Sequence, residues 1–274
     1  MSIPDYVIFP VEPSPRNLSD PIYEKTMKTI RKRGIRGIRE EPSVKVPDTL
    51  NLNKLLNPSR NQGRRGTCVA FSTCAMKEYQ EKLDVNFSDY MSPDSIYFYR
   101  INKPGDGMFL NDAMDILTTK GIAPEIAFPY DSNTEPESVP NEAITIMQDF
   151  KINSYALVNT IGGVKEALYM HGPCLISFPV FDGINGQFWK ATSPDIPCRG
   201  GHCVLIVGYT KDGFILRNSW GSTWNGDGTV IYPFADFGMH WEIWTSVDSD
   251  SPHKYPSQPW WKKLMTTCYG VCNK

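Results

Sequence analysis

From residue 68 onward the chain places Phe71, Ala75 and Tyr79 on one line, with Lys77, Glu78 and Glu81 off it. This four-residue recurrence is the period of an amphipathic helix, predicted to run from Cys68 to about Leu83. Thr67, just before it, is a candidate N-cap whose side-chain oxygen accepts an amide proton from the first turn. Ser92-Pro93 reads as a cap followed by proline at the first helical position. Asn111–Leu117 reads as a further helix, stopped by Gly121. A short helix over Val164–Met170 ends at Gly172-Pro173. Short apolar runs then take over, at Cys174–Val180, Cys203–Tyr209, Phe214–Leu216, Thr229–Tyr232 and Trp241–Thr245, with Lys211-Asp212-Gly213 as a hairpin turn between two of them. The pattern predicts a mostly helical half over about 57–140 and a strand-rich half over about 141–250.

Composition narrows the class. The chain has 274 residues, enough for one large or two small domains, and 41% of them are hydrophobic, enough for a sizeable core. A formal net charge of −2 gives no global signal for nucleic acid. No run of 18 apolar residues occurs, so no spanning helix is expected. The start, Met1-Ser2-Ile3-Pro4-Asp5-Tyr6, lacks the pattern of a signal peptide. The expectation is an intracellular (cytoplasmic) or virion-enclosed protein with most thiols reduced. Seven scattered cysteines form no dense disulfide framework. Cys268 and Cys272 are too few ligands for a metal site, so neither metal nor cofactor is expected.

Two flanks fall outside this organisation. Residues 1–44 begin with scattered prolines and turn basic over 25–39. They read as a prosegment covering a cleft, as a docking site for an anionic partner, or as a solvated tail. Residues 251–274, with Trp260-Trp261, form a C-terminal tail around no recognisable motif.

The chemistry concentrates where the first strong helix begins. A thiol in a first helical turn meets unpaired N–H groups and the positive end of the helix dipole, both of which favour the nucleophilic thiolate. A nucleophilic Cys68 needs a base, and the base an orienting group. Of the four histidines, His171, His202, His240 and His253, the second lies in Gly200-Gly201-His202-Cys203-Val204-Leu205-Ile206-Val207-Gly208-Tyr209. Asn218 follows in Arg217-Asn218-Ser219-Trp220-Gly221.

These three blocks, in this order and at these spacings, resemble the active-site blocks of the papain family of cysteine peptidases. Ser92-Pro93-Asp94-Ser95-Ile96-Tyr97-Phe98-Tyr99 is similar to a block of the branch found in bacteria, archaea and large DNA viruses. The resemblance covers about residues 46–247. It implies an α+β fold in which a helical half and a β-barrel half enclose the active site, with the catalytic domain over about 45–250. It also implies a cysteine endopeptidase acting on polypeptides through an acyl-enzyme. Cys68 is then the nucleophile, His202 the proton shuttle in ion pair with it, and Asn218 the orienting group. Trp220 shields the His–Asn contact, and Gln62 donates to the oxyanion together with the Cys68 N–H. Gly107, Met108 and Cys203 line the substrate cleft. Several positions depart from the family pattern. Arg65 stands where many members carry a disulfide cysteine, and Val69 replaces a tryptophan. Met108 replaces the second glycine of a cleft-lining pair, and Cys203 replaces an alanine. A thiol acyl transferase or peptide ligase on the same triad, and a non-catalytic papain-like scaffold, are the alternative readings.

Overall fold

The computed structural model describes residues 3–4, 9–15, 17, 19–26, 45–183 and 186–248. Most of the basic segment 25–39 and the tail with Cys268 and Cys272 lie outside the described residues.

The first strong helix, α1 (Cys68–Val85), lies at the centre of the molecule. It is buried on nearly all sides, which corrects the amphipathic reading: Lys77, Glu78 and Glu81 are interior. Each is paired, as a buried charge must be. Lys77 Nζ lies 2.8 Å from both Glu81 Oε1 and Asp248 Oδ1. Glu78 accepts from the Met91 amide at 2.9 Å and lies 3.6 Å from Arg60. The helix ends two residues beyond the predicted stop, in a left-handed cap at Asn86.

Around α1 pack α2 (Pro93–Tyr97) and α3 (Leu110–Thr119). Ser92 caps α2 as predicted, its oxygen accepting from the Ser95 amide. At the end of α3, Gly121 (φ +83°) donates its amide to the Ile116 carbonyl. Two elements escape the sequence pattern, α4 (Asn141–Met147) and the strand Ser154–Leu157. Helix α5 (Ile161–His171) is longer than expected because Thr160 caps it, accepting from the Gly163 amide.

The remaining elements form one antiparallel sheet. Its strands are β1 (Leu50–Asn51), β2 (Ser154–Leu157), β3 (Cys174–Pro179), β4 (Gly201–Tyr209), β5 (Gly213–Arg217), β6 (Thr229–Pro233) and β7 (Glu242–Val247). The order is β2-β7-β3-β4-β5-β6, with β1 added alongside β4. All nine residues of β4 are buried, because the sheet separates two cores. Val204 and Ile206 belong to one, with Phe178, Phe188 and Trp220. Cys203, Leu205 and Val207 belong to the other, with Cys68, Val69 and the helices. The two-residue side-chain period of a strand places successive residues of β4 in different cores. This helix-plus-sheet arrangement is the expected α+β architecture.

The N-terminal segment packs onto the rest of the molecule, which is at odds with a solvated tail over its described residues. Phe9, Val11, Ser14 and Tyr23 are buried. The Gly201 amide donates to the Phe9 carbonyl at 2.9 Å, and the Val11 amide donates to the Gly201 carbonyl at 3.3 Å. Gly107 (φ +80°) and Gly200 (φ +124°) face this segment so closely that a Cβ on either would collide with the Pro10 or the Phe9 carbonyl oxygen. Residues 9–15 thus form a strap between the helical half and the start of β4.

Candidate active site

Three loops and one helix start converge beneath the strap. Cys68 is the first residue of α1 and fully buried. Thr67, ahead of it, does not cap the helix through its side chain. Its hydroxyl instead pairs with the Tyr130 hydroxyl at 2.9 Å. Tyr130 in turn donates to the Gln62 carbonyl at 2.7 Å, so the hydroxyl is spent on fixing the preceding loop.

That loop is tied to the segment that carries Asn218. The Gln62 amide donates to the Ser219 carbonyl at 2.9 Å, and the Gly221 amide to the Arg60 carbonyl at 3.1 Å. Ser219 Oγ donates to Gln62 Oε1 at 2.6 Å, and Gln62 Nε2 donates to the Arg65 carbonyl at 3.1 Å. A side-chain amide nitrogen carries two protons, so one N–H of Gln62 remains for another acceptor. Arg65, where a disulfide partner was missing, fills its place with an ion pair 2.7 Å from Asp94 and a position over the Tyr97 and Tyr130 rings.

His202 is the second residue of β4, and Asn218 directly follows β5, the neighbouring strand. Asn218 Oδ1 lies 2.9 Å from His202 Nε2 and also accepts the Ser219 amide at 2.8 Å. A backbone N–H can only donate, so the amide oxygen faces both groups and the proton of the neutral ring sits on Nε2. Nδ1 is then the basic nitrogen, and it is buried without a hydrogen-bond partner. Trp220 stacks on the imidazole at 4.6 Å and 21°, covering the His–Asn contact. Phe9 of the strap meets the same ring edge-on at 6.0 Å and Trp220 at 6.2 Å.

The expected thiolate–imidazolium pair is not formed in this conformation. Burial pushes the Cys68 thiol up to about 11, against the pull of backbone groups of Cys203, Val69 and Cys68 itself. Burial drives the His202 imidazole down to about 4, opposed by its hydrogen bond to Asn218. Desolvation disfavours both charged forms, so burial favours the neutral thiol and the neutral ring in this conformation. The helix-start effect is present, but burial outweighs it.

The predicted cleft residues lie against the strap. Gly107 runs under Pro10, its amide donating to the Tyr97 hydroxyl at 3.0 Å. Met108 and Cys203 are buried in one cluster with Val11. Sequence reasoning missed Ser219, Tyr130, the strap residues and Glu242, a carboxylate that accepts both the amide and the hydroxyl of Ser14 at 3.0 and 2.8 Å. The one signal for Glu242 was a lone carboxylate within an apolar strand run. Among the described residues, no three His, Cys, Asp or Glu side chains stand where they could hold a metal ion. No helix there is long and apolar enough to cross a membrane.

A helix-start cysteine, with a histidine on the strand that packs against that helix and an asparagine bonded to the histidine, in a fold of helices against an antiparallel sheet, defines the class of papain-like thiol peptide hydrolases. The profile of the papain family of cysteine proteases matches residues 46–233, and the chain belongs to that family. It is 29% identical over 208 residues to the viral cathepsin of Cydia pomonella granulosis virus, covering 70% of this chain and 59% of that protein. It is 26% identical over 182 residues to macrodontain-1 of Ananas macrodontes, covering 64% of this chain and 82% of that one. The chain thus spans less than two thirds of some of the curated relatives it matches. Its fold is similar to that of xylellain, a cysteine protease from Xylella fastidiosa, with a TM-score of 0.70 and 21% identity over 88% of this chain and 96% of that one.

Proposed function

We propose that the chain is a cysteine endopeptidase, held latent in this conformation by its own residues 9–15. The observation that carries the catalytic reading is the 2.9 Å contact between His202 Nε2 and Asn218 Oδ1, which leaves Nδ1 as the base, on the strand that packs against the Cys68 helix. Once the strap lifts, water and substrate replace the apolar cover, and proton transfer from Cys68 to Nδ1 gives thiolate and imidazolium. The thiolate adds to the peptide carbonyl and forms a C–S bond. The oxyanion takes donors from the free N–H of Gln62 and the Cys68 amide. The C–N bond breaks as the imidazolium gives its proton to the leaving amine. Water then adds to the thioester, His202 takes its proton, and the C–S bond breaks to release the acid and restore the thiol.

The leaving amine takes its proton from His202, whose ring backs onto Trp220. The departing half of a substrate therefore lies at the Trp220 end, and the acyl half at the Gly107 end. The strap runs the opposite way, with Phe9 at Trp220 and Ser14 beyond Met108, which accounts for its occupying the cleft uncut. Polypeptides are the proposed substrates. The test is labelling of the full chain with an epoxide-type thiol-protease inhibitor, followed by peptide mapping, alongside turnover of fluorogenic peptide amides. Covalent mass on Cys68 with turnover lost in Cys68→Ala and His202→Ala is expected. Turnover surviving in His202→Ala places the base elsewhere.

A further inference from the structure

We propose that Arg65 is a positioning residue for oxyanion stabilisation, acting through its ion pair with Asp94 on the free N–H of Gln62; the inference rests on the peptidase reading above. The loop between Gln62 and Thr67 holds two glycines, Gly63 at φ +67° and Gly66, so its backbone has little stiffness of its own. Arg64 is exposed, and the tether is the Arg65 side chain. Its Nη2 lies 2.7 Å from Asp94 Oδ1, and its Nη1 donates to Asp94 Oδ2 at 3.0 Å and to the Asp131 carbonyl at 2.6 Å. The guanidinium also lies over the Tyr130 ring at 5.0 Å and the Tyr97 ring at 5.4 Å. Asp94 is buried in the first turn of α2, so the pair ties the loop to that helix, and each charge has the other as its partner.

The carbonyl of the same residue accepts from Gln62 Nε2 at 3.1 Å and from the Thr67 amide at 2.8 Å. Ser219 Oγ holds the other end of the Gln62 side-chain amide, at Oε1. An anchor at each end fixes the plane of that amide, so its second Nε2 proton has one direction. Asp94 also gathers the neighbouring loop, accepting the Asp131 amide at 3.4 Å, and Tyr130 of that loop donates to the Gln62 carbonyl at 2.7 Å. Releasing the Arg65 head frees the Arg65 carbonyl, and the donor on Gln62 loses its aim. A ground-state carbonyl asks little of that donor, whereas the developing oxyanion asks much, so the loss falls on kcat. Cys68 is secured separately, by α1 and its packing against β4, and its thiol does not share the loss. Lysine is a poor substitute, because a point charge cannot span both Asp94 oxygens and the Asp131 carbonyl as the planar fork does.

The experiment uses the full chain with the strap loosened by Phe9→Ala, fluorogenic peptide amides, and active enzyme counted by epoxide titration of Cys68. Arg65→Ala should lower kcat about 10- to 100-fold, the size of a misplaced group at the reacting atoms, with KM within about twofold. In a Gln62→Ala background the same substitution should lower kcat by no more than about twofold, because the donor it aims is gone. Arg65→Lys should fall between, at about 3- to 10-fold, and it carries the same comparisons if Arg65→Ala yields no folded protein. Iodoacetamide modification of Cys68 forms no oxyanion, so its rate should stay within about threefold in each variant. An undiminished loss from the Arg65 substitution on top of Gln62→Ala overturns the inference, as does an alkylation rate that falls in step with kcat; either leaves Arg65 as a general support of the helix start. Unchanged kcat in the Arg65 variants also overturns it. Absence of turnover on every amide, despite titratable Cys68, overturns the peptidase reading and this inference with it.

Discussion

Phe9→Ala isolates the contribution of one side chain to latency. The ring is 8% exposed and sits over His202 and Trp220 at 6.0 and 6.2 Å. The backbone bonds of Phe9 and Val11 to Gly201 do not involve it and remain available in the variant. Burying a phenylalanine stabilises by about 1.5–3 kcal/mol, so its loss should raise the open fraction of the strap roughly 10- to 150-fold. Cys68 is fully buried with the strap in place, and under the proposed latency only the open form exposes the thiol to reagent. The assay is the rate of iodoacetamide modification of Cys68 at neutral pH, followed by peptide mass spectrometry, with exposed Cys198 as internal reference. The expected result is slow Cys68 modification in the parent chain and an increase of that size in Phe9→Ala, at constant Cys198 rate. Cys68 reacting as fast as Cys198 in the parent, and no faster in the variant, would refute the strap as the cause of latency.

In Cys68→Ala the imidazole of His202, the proposed base, titrates without the thiol. Its closed-state value near 4 lies below an ordinary 6.5, so the strap's hold is complete above pH 6.5 and is lost as pH falls towards 4; opening should rise ~30-fold by pH 5. Hydrogen exchange at the Val11 amide, corrected for intrinsic rate, reads this, and a pH-independent opening would contradict the cause assigned to the His202 shift. Gln62→Ala removes one oxyanion donor and should lower kcat by about 10²–10³ with peptide amides, whereas Asn218→Ala should leave measurable turnover because Asn218 carries no transferred proton. Lys77→Met strips Glu81 and Asp248 of their shared ammonium and should cost about 3–5 kcal/mol in urea unfolding; a loss below about 1 kcal/mol would show that the buried triad contributes little to the fold.

The parts of the fold that rest on local chemistry were legible in the chain. Ser92-Pro93 starts a helix, Gly121 stops one, and Lys211-Asp212-Gly213 turns between β4 and β5. Each of these depends on backbone preferences of a few adjacent residues. The order Cys68, His202, Asn218 was legible because three motifs kept their spacing. The rest depends on partners distant in sequence. Lys77 reads as a solvent-facing charge until Asp248, 171 residues away, is placed beside it. Phe9 and Val11 sit in a lead whose three readings the chain alone leaves open until Gly201 supplies their hydrogen bonds. Thr67 reads as a cap because its type and position fit, yet the hydroxyl of Tyr130 competes for it. The ionisation of Cys68 and His202 was illegible for the same reason: it is set by burial among residues distant in sequence.

The division of β4 between two cores makes adjacent residues answerable to different neighbours. His202 touches Phe9, Phe188 and Trp220, while Cys203 packs with the nucleophile helix and the strap's Val11. A change of volume at 203 is therefore met first on the helix side, away from the aromatic neighbours of the imidazole. Conversely, a slip of one residue in the pairing of β4 with β3 would send each side chain to the opposite face. Register thus acts as a switchboard here: it decides which of the two cores each side chain of β4 answers to.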